Sequence, residues 1–165
     1  MQVSLSRRAL FAGRRADPVV APIRPPWSVH EAAFLDACTQ CNACRSVCAE
    51  GVVVHGSGGF PEIKFQNGVC TFCGDCAQVC EPGAIVADDL YRAVPWTVVA
   101  RFDATCLSQN GVTCRVCGDR CDARAIRFQL AVGGVAQPII DPSACTGCGG
   151  CVAPCPVGAV EVVLS

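Results

Sequence analysis

Sixteen cysteines in four groups of four constrain this chain more than any other feature. The first group is Cys38, Cys41, Cys44 and Cys48, and the second is Cys70, Cys73, Cys76 and Cys80. The fourth is Cys145, Cys148, Cys151 and Cys155, and all three share the spacing C-x2-C-x2-C-x3-C. The third, Cys106, Cys114, Cys117 and Cys121, has seven residues in its first gap instead of two. Disulfides need an oxidising compartment, and cysteines three apart on a tight loop pair poorly with one another. Structural zinc takes two C-x2-C knuckles divided by a longer spacer, not three thiols in a row. Three thiolates on one short loop instead wrap three corners of an iron–sulfur cubane. One such run is a specific signal, and four of them predict four 4Fe–4S clusters held by all sixteen cysteines.

In the two-cluster ferredoxin pattern the fourth thiol of each motif reaches the other cluster of the pair. The expected sets are therefore Cys38, Cys41, Cys44 with Cys80, and Cys70, Cys73, Cys76 with Cys48. The same rule joins Cys106, Cys114, Cys117 with Cys155, and Cys145, Cys148, Cys151 with Cys121.

Composition narrows the function. The chain has 165 residues, a net charge of −1, a single lysine (Lys64) and two histidines, His30 and His55. That excludes a generally basic nucleic-acid binder and leaves little for acid–base catalysis, so no enzyme activity is expected. No apolar run reaches the roughly eighteen residues of a membrane-spanning helix. The charge is uneven. Residues 1–30 hold five arginines against Asp17 alone, a net +4, whereas residues 31–165 carry −5. Four oxidised clusters with their thiolates would add roughly −8.

Between the motifs, β-branched runs flank glycine turns. Val52–Val54 and Ile63–Phe65 bracket Gly56–Gly59, and Ala125–Phe128 and Pro138–Ile140 bracket Gly133-Gly134. Both read as β-hairpins. Ala84–Val86 and Val160–Val163 are placed to close each sheet, and Cys76–Cys80, Cys117–Cys121 and Cys151–Cys155 suit single helical turns. The expected fold is α+β, with two tandem bacterial-type ferredoxin-like units at residues 30–95 and 96–165 after a basic Pro-rich tail at 1–29. Such small units bury too little apolar surface alone, so metal ligation must supplement the core. Gly56–Gly59 lacks the lysine and helix of a phosphate loop. His30 and His55 read as surface residues, and Trp27 and Trp96, each beside a proline, as packing residues. The extra residues of Leu107–Thr113 predict an exposed bulge that leaves Cys106 loosely held.

In the tail, Ser6-Arg7-Arg8-Ala9-Leu10-Phe11 is similar to the core of a twin-arginine export signal. An exported leader needs an apolar region, and Gly13-Arg14-Arg15 interrupts it at once. The tail reads as a cytoplasmic docking element in preference to a plain solvated tail, with Arg7, Arg8, Arg14 and Arg15 as candidate partner contacts. Ile23-Arg24-Pro25-Pro26-Trp27 reads as a stiff connector.

Together, the Ser6-Arg7-Arg8 and Gly13-Arg14 tail, the Ile23–Ser28 stretch and four cubane motifs with the third expanded resemble the NapF family. These are ferredoxin-type accessory proteins of periplasmic nitrate reductase systems. The resemblance implies a cytoplasmic protein that binds the precursor of the nitrate reductase catalytic subunit before export. It implies maturation of that subunit by cluster loading or electron supply, with other redox proteins of the system as further contacts. An electron-transfer polyferredoxin acting as a wire between enzymes is the alternative.

Overall fold

The computed structural model describes residues 21–86, 95–130 and 134–165. Its elements are short, as expected of a fold organised by ligands more than by a core. In the first unit β1 (Val53–His55) pairs antiparallel with β2 (Pro61–Ile63), Val53 facing Ile63. The second strand was expected over Ile63–Phe65 and lies two residues earlier. Glu62, buried, turns inward to accept a hydrogen bond from the Ser57 backbone N–H at 3.0 Å, which fixes the turn. A Cβ on Gly56 would stand 2.0 Å from the Glu62 carboxyl carbon, so the glycine serves the hairpin. Past Ile63 only one further ladder bond forms, Lys64 N–H to the Val52 carbonyl at 2.9 Å. Phe65 then leaves the hairpin for the interior.

In the second unit β4 (Ile126–Leu130) pairs with β5 (Ala136–Ile140) as the sequence suggests, although Gly133 of their turn lies outside the described residues. An outer pair encloses this unit. It joins β3 (Val98–Phe102) to β6 (Val160–Leu164), with Val98 opposite Leu164. The matching pair in the first unit shrinks to one bridge between Ser28 and Ile85. Ala84–Val86 is therefore not a full strand. Pro25 and Pro26 offer no N–H to a ladder, and Trp27, at φ +61°, turns the chain away.

Single helical turns follow the middle of the first three motifs. The helix α1 (Glu31–Ala37) precedes α2 (Ala43–Ser46), α3 (Asp75–Gln78) and α4 (Val116–Asp119). The turn expected over Cys151–Cys155 does not become helix, because Pro154 and Pro156 lack the N–H groups to continue it. Helix α1 has no counterpart in the sequence reading. It is capped by His30, whose ring accepts from the Ala33 N–H at 3.4 Å, and it buries Phe34 completely. His55 is exposed at the end of β1.

The stretch read as a connector is part of the first unit. Pro25 and Pro26 are fully buried, and the Ile23 carbonyl accepts from the Ile63 N–H at 2.8 Å. Arg24 bonds Glu31 at 2.6 and 2.9 Å and the Pro61 carbonyl at 3.0 Å, and its guanidinium lies 4.9 Å from the Phe34 ring centre. That pairing holds the Glu31 carboxyl below the usual carboxylate range. The Trp27 N–H reaches the Pro95 carbonyl at 2.6 Å, at the entry to the second unit.

Candidate iron–sulfur sites

The first, second and fourth cysteine motifs are shaped by residues that take the left-handed conformation, whereas Arg115 of the third lies at φ −134°. Gln40, Phe72 and Gly147 are left-handed just before the second cysteine of their motifs, and Asn42, Gly74 and Gly149 just after it. This double reversal curls the loop so that three thiols point to one centre. A second signature follows the fourth cysteine. The N–H groups of Gly51, Gly83, Arg124 and Gly158 donate to the carbonyls of Cys48, Cys80, Cys121 and Cys155, three residues earlier, at 2.8–3.2 Å. All four have positive φ, between +52° and +73°. Arginine thus stands in the third repeat where glycine stands in the others, at a backbone cost of about 1–2 kcal/mol.

The thiols gather in crossed sets. Cys38, Cys41 and Cys44 line one pocket with Cys80, walled by Phe34, Pro61 and Ile85. Cys145, Cys148 and Cys151 line another with Cys121, walled by Ala100, Ala125 and Ile126. Cys48 lies close enough to Cys70 and Cys76 for its charge to act on both, with Cys73 in the same group. Cys106 and Cys114 act likewise on Cys117, while Cys121 and Cys155 both pack on the apolar cluster that contains it.

As bare thiols these groups resist ionisation. Burial, aided by neighbouring cysteine charge, pushes Cys76 and Cys151 up to about 12. Burial likewise raises Cys44, Cys70 and Cys117 to about 11, although the Arg45, Phe72 and Gly118 backbone amides pull the other way. Further donors face the crossing thiols. The Ile85 N–H meets Cys80 Sγ at 3.3 Å, and the Ala159 N–H meets Cys155 Sγ at 3.2 Å. Sulfurs so placed become thiolates only around a cationic core. Among the described residues no three potential ligands converge tightly enough for one metal ion. Four sulfurs spaced round an apolar pocket fit a multi-iron cage better than a lone zinc.

The two units meet at their inner motifs. The Cys70 N–H donates to the Cys148 carbonyl at 2.8 Å, and Cys148 is close enough to act electrostatically on Cys70. Val52, Val53, Ile63 and Phe65 of the first unit form a core with Val152 and Val162 of the second. Trp96 stacks edge-on between Phe65 and Phe72 at 6.1 and 5.6 Å, and its indole N–H bonds the Thr146 carbonyl at 2.9 Å. Gly149 faces this seam, where an added Cβ would lie 2.0 Å from Phe65, whereas Gly147 packs within the second unit, 2.3 Å from Val98.

The expanded third motif meets expectation in part: residues 109–113 are exposed, but the loop is tied down at its start and Cys106 is 8% exposed. The Asn110 side chain donates to the Ala104 and Cys106 carbonyls at 2.7 and 2.9 Å. Ser108, 2% exposed, donates through Oγ to the Ala136 carbonyl on β5. The exposed part, residues 109–113, thus lies beyond an anchored base, and Cys106 is buried instead of loosely held. Ser108→Val would leave that carbonyl unpaired and should cost about 1–3 kcal/mol in a denaturant titration of the holo protein. No measurable change would mean that the loop is not anchored there.

Comparison with known proteins agrees with this geometry. Residues 28–85 and 112–159 each match a model described as a 4Fe-4S dicluster domain. The chain is 49% identical over 140 residues to "Ferredoxin-type protein NapF" of Haemophilus influenzae, covering 85% of this chain and 78% of that one. Its identity to the protein of the same name from Escherichia coli K12 is 39% over 160 residues, covering 97% and 95%. With two dicluster domains in tandem and relatives matched over most of its length, the chain belongs to the NapF family of ferredoxin-type iron–sulfur proteins.

Proposed function

We propose that the sixteen cysteines hold four 4Fe–4S clusters, each ligated by three thiols of one motif and the last thiol of its partner motif. The observation that carries this is the gathering of Cys80 with Cys38, Cys41 and Cys44, and of Cys121 with Cys145, Cys148 and Cys151. The clusters supply one-electron storage; the chain supplies the ligands, apolar walls and amide donors around them. On this reading the protein is an accessory factor, not an enzyme. It acts in the cytoplasm on the precursor of the periplasmic nitrate reductase catalytic subunit, loading a cluster or supplying electrons before export. Family membership and the basic tail support that role. Arg7, Arg8, Arg14 and Arg15 are the proposed contacts, and they lie outside the described residues.

The test has two arms. Anaerobic reconstitution should give about sixteen iron and sixteen sulfide per chain, and a zinc protein without sulfide would end the cluster reading. The precursor subunit should then bind the full chain but not a chain lacking residues 1–20. Equal binding would remove the tail from recognition. A relay between redox enzymes is the second reading, and the Cys70–Cys148 contact favours it by placing the inner motifs side by side. Under that reading, loss of residues 1–20 leaves electron transfer unchanged.

A further inference from the structure

The third repeat differs from its sisters at three positions that converge on one groove. After the second cysteine the other repeats have Asn42, Gly74 and Gly149, whereas this one has Arg115. After the third cysteine they have Arg45, Ala77 and Val152, whereas this one has Gly118. Before the buried alanine or valine that follows the motif they have Gly51, Gly83 and Gly158, whereas this one has Arg124 at φ +52°.

These departures fit together. Gly118 leaves room for Phe128, whose ring would lie 2.6 Å from a Cβ there. Phe128 in turn supports Arg115, whose guanidinium sits 4.9 Å from the ring centre. Arg124 and Arg127 complete an open groove with Asp119, so three arginines face one carboxylate. All three arginines are exposed. At the neighbouring strand end, Asp141 is held low mainly by its hydrogen bonds from Ser143, with Arg127 adding to the effect. A side chain held at positive φ, where three sister positions use glycine, is a feature that folding alone does not favour.

We propose that this groove docks a carboxylate-rich face of a partner protein over the third motif. The proposal rests on the cluster reading, because Cys114 and Cys117 directly flank Arg115 and Gly118. Arginine forks bind carboxylates in pairs, and Arg115 stacked on Phe128 is already oriented to do so. Three arginines are too few to follow a phosphate backbone, and the body of the chain carries −5, which repels an extended polyanion. Redox partners meet through small charged faces of this kind, gaining association rate and orientation more than affinity.

The experiment uses the reconstituted holo protein and three probes: an octaglutamate peptide, inorganic phosphate and octauridylate. Octaglutamate should bind best, and its affinity should fall as salt rises. Arg124→Gly should weaken peptide binding while leaving the melting temperature equal or higher, since glycine suits that backbone. Arg115→Gln with Arg127→Gln should weaken it by about tenfold or more, with iron and sulfide contents unchanged. Unchanged peptide affinity in both variants would overturn the proposal, as would tighter binding of phosphate or octauridylate. A lower melting temperature for Arg124→Gly would also overturn it, because the arginine would then be structural. A wild-type protein without iron and sulfide sinks the cluster reading instead, on a readout separate from the peptide titration.

Discussion

Stripped of its iron under reducing conditions, the protein should lose its tertiary structure along with its colour. The strands run three to five residues, and three of the described helices have only four, lengths that do not persist alone. The cores are not independent of the ligands either. Cys117 and Cys151 are themselves buried members of the second unit's core, and Cys38, Cys44, Cys76 and Cys80 pack on the first. Removing iron therefore dissolves the centres around which the apolar side chains assemble. Near-ultraviolet circular dichroism and limited proteolysis should report an open chain, and an apo protein that melts cooperatively near the holo temperature would refute the account. Any structure the apo chain retains carries a pH signature. Its buried thiols are raised from 9.0 to about 11 or 12, so the folded form holds protons that the unfolded form releases. That structure should be stable below about pH 9 and be lost as pH rises toward 12. In the holo protein the sign is opposite, because protons compete with iron for the thiolates, and acid should hasten cluster loss.

Removing Cys80 should empty the centre of the first motif, not that of its own. Cys80 lines the pocket of Cys38, Cys41 and Cys44, whereas Cys73 belongs with Cys70, Cys76 and Cys48. Cys80→Ala and Cys41→Ala should each cost about four iron, and the double variant no more than that, since both strike one site. Cys80→Ala with Cys73→Ala should cost about eight, because two sites are struck. The reverse pattern of iron analysis would establish ligation within each motif and discard the crossed sets.

Cysteine spacing made the site legible in the sequence because the left-handed reversals of the first, second and fourth motifs are local, each set by residues beside one cysteine. The hairpins were legible for the same reason, from glycine turns between β-branched runs. What could not be read was decided over distance. Arg24 appears in the sequence as one of five tail arginines, yet its partners are Glu31, the Pro61 carbonyl and the Phe34 ring. Ser108 looks like a polar loop residue until β5 supplies the carbonyl that buries it. Nothing local predicts that Gly118 makes room for Phe128, ten residues on and in the next strand. The internal repeat did hold one unused signal. Aligning the four motifs singles out Arg115 and Arg124 before any coordinates are known.

Repeated domains ordinarily keep a hinge where the copies meet, and motion between them is the default. Here the join is written in main-chain atoms, from the Cys70 amide to the Cys148 carbonyl, with Gly149 where a side chain would wedge against Phe65. Surface substitutions accumulate without reaching such a bond, so the two halves are free to diverge in sequence without drifting apart in space. Specialisation of one copy, as in the third motif, then leaves the spacing of the inner motifs untouched. A duplicated gene product of this build can change its outer ends for new partners while inheriting a fixed middle.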